Sequence, residues 1–193
     1  MPTKLDNILT SIDPDRNLND IASRVGDALN SYRLENGLVS DWDEFKMVLS
    51  KFCRHVECAV LGIPHSTLFD MDMYWGRCCR LFMKEYGSSG EKTAFEIART
   101  GTEGGFSSLL KLIAKRMGEE YAQREIAARV GCFYGSLDVD EKLAVCDEYL
   151  QKYGHLLPSE LTEGSAARIK ANFLKVLEEH PRLILRLRRV GRG

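Results

Sequence analysis

Apolar residues recur at intervals of three and four along almost the whole 193-residue chain, the spacing that gathers them on one face of an α-helix. No stretch shows the sustained alternation of a half-buried strand. The clearest stripe is Trp42, Phe45, Leu49, Phe52, Val56 and Ala59. It predicts a helix from Asp41 to about Leu61, opened by Ser40 and Asp43 as a capping box and ended by Gly62 and Pro64. Phe52, in mid-stripe, is expected to be fully buried. A second stripe of Leu68, Met71, Trp75, Cys78, Phe82 and Tyr86 predicts a helix from Ser66 to Tyr86. The short Gly62–His65 connection sets the two antiparallel.

The same periodicity predicts helices over Asn19–Leu34, closed by Gly37, and over Lys4–Ile12, stopping before Pro14. Gly87–Gly90 reads as a loop, followed by a short helix over Glu91–Arg99 that Gly101 ends. Phe106, Leu110, Ile113, Met117 and Tyr121 start a long pattern running toward Val130, with Gly118 as a point of bending or breakage. Asp138 with Glu141 opens the next helix, which carries Leu143, Cys146, Leu150 and Tyr153 and ends at Gly154. Ser165 caps a further helix striped by Ile169, Phe173, Val176 and Leu177 that stops before Pro181. The expected fold is therefore all-α: one helical bundle of about seven or eight helices over residues 1–193, with a basic C-terminal segment at 181–193. Leu156–Gly164 is the best hinge candidate. The echo of Ile21–Gly26 in Ile126–Gly131 is too short for an internal repeat, which would show a sustained period.

Composition adds little to this picture. Hydrophobic residues make up 44% and charged residues 28% of the chain, average for a globular domain. No run reaches the ~18 apolar residues of a membrane span, and the polar Met1–Asp6 stretch lacks the apolar core of a signal peptide. The cytoplasm is the expected compartment, with the six cysteines reduced. The formal net charge of −1 steers the whole molecule toward no polyanion. Its distribution is uneven, however. Pro181–Gly193 holds Arg182, Arg186, Arg188, Arg189 and Arg192 and no acid, which leaves the rest of the chain at a formal −6.

Four segments invite chemistry. Gly87–Thr93 suggests a phosphate-binding loop, but Glu91 stands where glycine must precede the lysine, and Tyr86 where the first glycine belongs. A helix-to-helix loop is the better reading. Gly101–Ser108 opens a helix whose free amides, aided by Arg99 and Lys111, could hold an anion; the competing reading is routine, with Ser107 or Ser108 as a cap. Cys53, His55, Cys58, Cys78, Cys79 and His65 share one hairpin, but helical geometry spreads Cys58 and Cys78 about 12 Å apart along the axis, too far for one zinc ion. They read as core thiols, with no metal or cofactor. Arg124–Leu137 has the order of a helix-turn-helix turning at Gly131. Its second helix would present Asp138 and Asp140 and no base, the wrong charge for DNA.

The histidines His55, His65, His155 and His180 are scattered, and no nucleophile motif is present, so no catalytic residue is nominated and the balance leans away from an enzyme. The arginine segment is the least ordinary feature. Leu183, Leu187 and Val190 can share one helical face beside Arg182, Arg186 and Arg189. Such a helix suits an acidic partner, a phosphate backbone or an anionic surface; the alternative is a terminal helix that pairs its arginines with the body's own acids. The leading expectation is a non-catalytic protein that binds a macromolecule. Nucleic-acid binding through the arginine tail comes second, and a metal or redox enzyme built on the cysteine hairpin third.

Overall fold

A computed structural model describes residues 14–33, 37–65 and 68–191. Of these, 83% are helical, and among them no strand occurs and eight helices reach seven or more residues. The helix predicted over Lys4–Ile12 lies outside the described residues. In chain order the helices are α1 (Pro14–Ser31), α2 (Trp42–Leu61), α3 (Met71–Tyr86), α4 (Gly90–Thr100), α5 (Gly105–Gly135), α6 (Val139–Tyr153), the single turn α7 (Ser159–Thr162), α8 (Ala166–Glu179) and α9 (Leu183–Gly191).

Local chemistry explains most boundaries. Asp41, rather than Ser40, caps α2: its carboxylate accepts the Glu44 N–H at 2.9 Å. Gly62 ends the helix at φ 67°, in the left-handed region where glycine carries no Cβ penalty. α3 starts five residues later than its stripe predicts, because Asp70 accepts the Met73 N–H at 3.1 Å and makes the stronger stop. Leu68 is left outside the helix and 85% exposed. Pro14 opens α1 instead of blocking it, since proline's fixed φ and missing N–H suit a first turn. The Asp138–Glu141 capping box forms in both directions. Ser107 and Ser108 cap nothing: α5 begins at Gly105, and the Ser108 hydroxyl donates to the Gly105 carbonyl at 3.1 Å.

The described chain separates into two compact units, residues 15–122 and 123–191. In the first, α2 packs on α3 and α3 on α4, and Phe45, Leu49, Phe52, Val56, Phe82, Leu109, Ile113 and Met117 form the centre of the core. Phe52 is fully buried as expected. Gly118 does not break α5. A Cβ there would stand 3.0 Å from Val25 Cγ2, so the bare backbone lets α1 press against α5. In the second unit α6 packs on α8 and on α9, around Val130, Tyr134, Cys146, Tyr149, Phe173, Leu177, Ile184 and Leu187. No helix among the described residues is long and apolar enough to cross a membrane.

Candidate functional site

The arginine segment forms a helix, and that helix is docked. Ile184 is fully buried and Leu187 4% exposed, both within the second core. Gly191 continues their side, where a Cβ would stand 2.3 Å from Cε1 of Tyr153 on α6. The buried stripe is thus Ile184 and Leu187, with the exposed Gly191 closing its end against Tyr153. It is not Leu183, Leu187 and Val190, since Val190 is 51% exposed. Arg186 and Arg189 sit roughly half a turn from that stripe at about 100° per residue, and Arg182 occupies the turn leading into α9. All three are exposed.

Among the described residues they are unpaired, and they are gathered on one short helix and the turn before it. Ion pairs among the described residues of the second unit include Arg129 with Glu125 (2.8 Å), Lys142 with Glu178 (3.6 Å), Lys152 with Glu148 (2.7 Å) and Lys170 with Asp147 (2.7 Å). The side chains of Arg182, Arg186 and Arg189 form no ion pair or hydrogen bond among the described residues. Arg188 is different: it flanks the buried stripe, is half-buried and has a partner. Arg192 lies outside the described residues. The helix therefore packs its apolar side inward without spending its outer arginines on the body's acids.

The other flagged segments resolve into structure. Gly87–Ser89 links α3 to α4, and Gly90 lies so close under α3 that a Cβ would meet the Phe82 carbonyl oxygen at 2.3 Å. Around Gly101–Gly105 a 3-10 turn holds Glu103 at φ 52°, and Arg99 pairs with Glu96 at 2.7 Å. The helix-turn-helix reading fails on geometry: α5 continues unbroken through Gly131 to Gly135, and the chain turns only at residues 136–138. All six cysteines are free. Cys53 and Cys78 are fully buried; the Cys53 thiol lies 3.4 Å from Met117 Sδ, and contact with Cys53 together with burial pushes the Cys78 thiol well up. No group of three or more metal-ligating side chains gathers among the described residues.

One polar cluster escaped the sequence reading. Glu57 on α2 accepts from Tyr74 (2.5 Å) and Arg77 (3.0 Å) on α3 and from Tyr121 (2.5 Å) on α5. Arg77 also donates to the Tyr121 hydroxyl at 2.8 Å and lies over its ring. Burial alone would raise the Glu57 carboxyl, but the hydrogen bonds from Tyr121 and Tyr74 and the charge of Arg77 outweigh it and hold the group below the ordinary glutamate range. Burial and the bond to Glu57 push Tyr121 up to about 12. This is a polar clasp across three helices. Its partners lie 17 to 64 residues from Glu57, and its one sequence sign is a charge placed next to the buried Val56.

Comparison with known proteins adds no relative: no family model matches the chain, and no curated protein or solved structure is similar to it.

Proposed function

We propose that this chain is a non-catalytic interaction protein of the cytoplasm whose C-terminal helix engages an acidic surface of a protein partner. One observation carries the reading. α9 is anchored by Ile184 and Leu187, while Arg186 and Arg189 lie on its other side and Arg182 in the turn before it, all three exposed and without ion pairs among the described residues. A docked helix holds its charges in a fixed array, so less conformational freedom is lost when a partner binds than with a loose basic tail. Such an array speeds encounter and selects partners by charge complementarity.

Nucleic acid is the competing partner, and the structure weakens one route to it, since the Arg124–Leu137 segment has no turn at Gly131. Binding of the full chain to polyglutamate and to duplex DNA, at low and high salt, tests the choice. The proposal expects saturable, salt-sensitive binding to polyglutamate that exceeds binding to DNA. Tighter binding to DNA, with a steep salt slope, would transfer the function to nucleic acid. Binding to neither would remove the basis for the arginine face as a site.

A further inference from the structure

We infer that the cleft lined by Tyr32, Lys51, Arg54, His55, His65 and Phe69 binds a small phosphate-bearing anion. The cleft has a volume of 290 Å³, at the small end of ligand sites, and lies wholly within the first unit. Lys51, Arg54 and His55 stand at i, i+3 and i+4 on α2, the spacing that puts side chains on one helix face. The connection between α2 and α3 brings His65 over His55, with ring centroids 4.7 Å apart and planes 24° from parallel. Tyr32, just past α1, places its ring 5.6 Å from His55 and donates its hydroxyl to the Val48 carbonyl at 3.3 Å. The Arg54 guanidinium, a group suited to phosphate oxygens, lies over the Phe69 ring at 5.4 Å.

Among the described residues, four basic side chains and no acidic one line this cleft, in a chain of formal net charge −1. Stacked imidazoles repel when both are charged. Burial, and then the charge of His65, hold the His55 imidazole below its ordinary value. The groups facing His55 are Tyr32 from the end of α1, Lys51 and Arg54 from its own helix, and His65 from the connection. All but Tyr32 are basic, so the cleft carries an excess of positive charge that disfavours the second imidazolium. A bound phosphate dianion reverses that balance and favours proton uptake by His55. By linkage, affinity for the dianion then rises as pH falls through the histidine range; a phosphate group's own second pKa is about 6, so the affinities are compared per dianion present.

The test is a nuclear magnetic resonance titration of the full chain, following the imidazole C2–H signals of His55 and His65. The probes are inorganic phosphate and adenosine monophosphate, at about pH 6 and about pH 8, on either side of the ordinary histidine value. The expected result is a saturable shift of both signals, several-fold tighter at the lower pH, with the His55 pKa moving upward on binding. Lys51→Gln, at an exposed position, should weaken binding about tenfold by removing a charge-assisted contact without lowering the melting temperature. Tighter binding of the nucleotide than of phosphate would assign the site to a phosphate monoester, and equal binding to free phosphate. Absence of a saturable shift with either probe, or a shift indifferent to both Lys51→Gln and pH, would overturn the inference.

Discussion

A β-carbon on Gly191 would stand 2.3 Å from Cε1 of Tyr153, so the end of α9 meets the end of α6 where no side chain fits. Gly191→Ala should therefore force the helix end or the ring aside, at a cost of about 1–3 kcal/mol for overpacking. Tyr153→Ala in the same chain should recover part of that loss, because the two changes share one contact and will not add. Chemical denaturation of the two single variants and the double variant reads the coupling. Additive losses would mean that α9 does not pack on Tyr153 in solution.

Phe52 and Phe173 are both fully buried, one in each core. Each change to alanine should cost about 3–5 kcal/mol through lost burial and a cavity. Calorimetry adds a second reading. If residues 1–193 form one folding domain, each variant lowers one shared transition; two separately shifted transitions would define two domains.

Glu57→Gln should destabilise the first unit by about 1–3 kcal/mol, because it leaves the Arg77 guanidinium, only 15% exposed, with only its longer 3.7 Å pairing to Glu120. The carboxyl sits below the ordinary glutamate value when folded. Its contribution is therefore complete above about pH 4.3, the unfolded value, and is lost as pH falls through the folded value. The gap between the parent and Glu57→Gln should narrow over that acid interval and stay constant near neutrality. A gap that stays constant down to the acid limit would contradict the clasp.

Gly90 and Phe82 make a second contact that excludes a side chain, here against backbone: a Cβ would lie 2.3 Å from the Phe82 carbonyl oxygen. Backbone cannot swing aside as a ring can. Gly90→Ala should therefore cost more stability than Gly131→Ala, where a Cβ meets nothing within 4 Å and alanine gains helix propensity of about 1 kcal/mol. Equal thermal shifts for the two variants would refute the close approach of α4 to α3.

The helices were legible because their cores are written at short range: Phe45, Leu49, Phe52 and Val56 repeat at helical spacing and all are fully buried. The boundaries were less so. Asp70 and Asp41 overrode earlier candidate caps, and nothing in the sequence ranks one capping side chain above its neighbour. The buried side of α9 was misplaced because a nine-residue helix offers two apolar stripes, and only packing on α6 chooses Ile184 over Val190. The Glu57 clasp and the His55–His65 stack join residues that only the tertiary fold brings together, so no local spacing could announce them.

We propose that α9, anchored by its apolar side, functions through its outer arginines. The most direct measurement compares the parent with the triple variant Arg182→Gln, Arg186→Gln and Arg189→Gln, for both melting temperature and polyglutamate binding at two salt concentrations. Each change removes an exposed charge with no partner among the described residues, so each should alter stability by no more than about 0.5 kcal/mol. The expected result is an unchanged fold and melting temperature with binding abolished. A clear fall in melting temperature with binding undiminished would contradict it and make the arginines part of the fold.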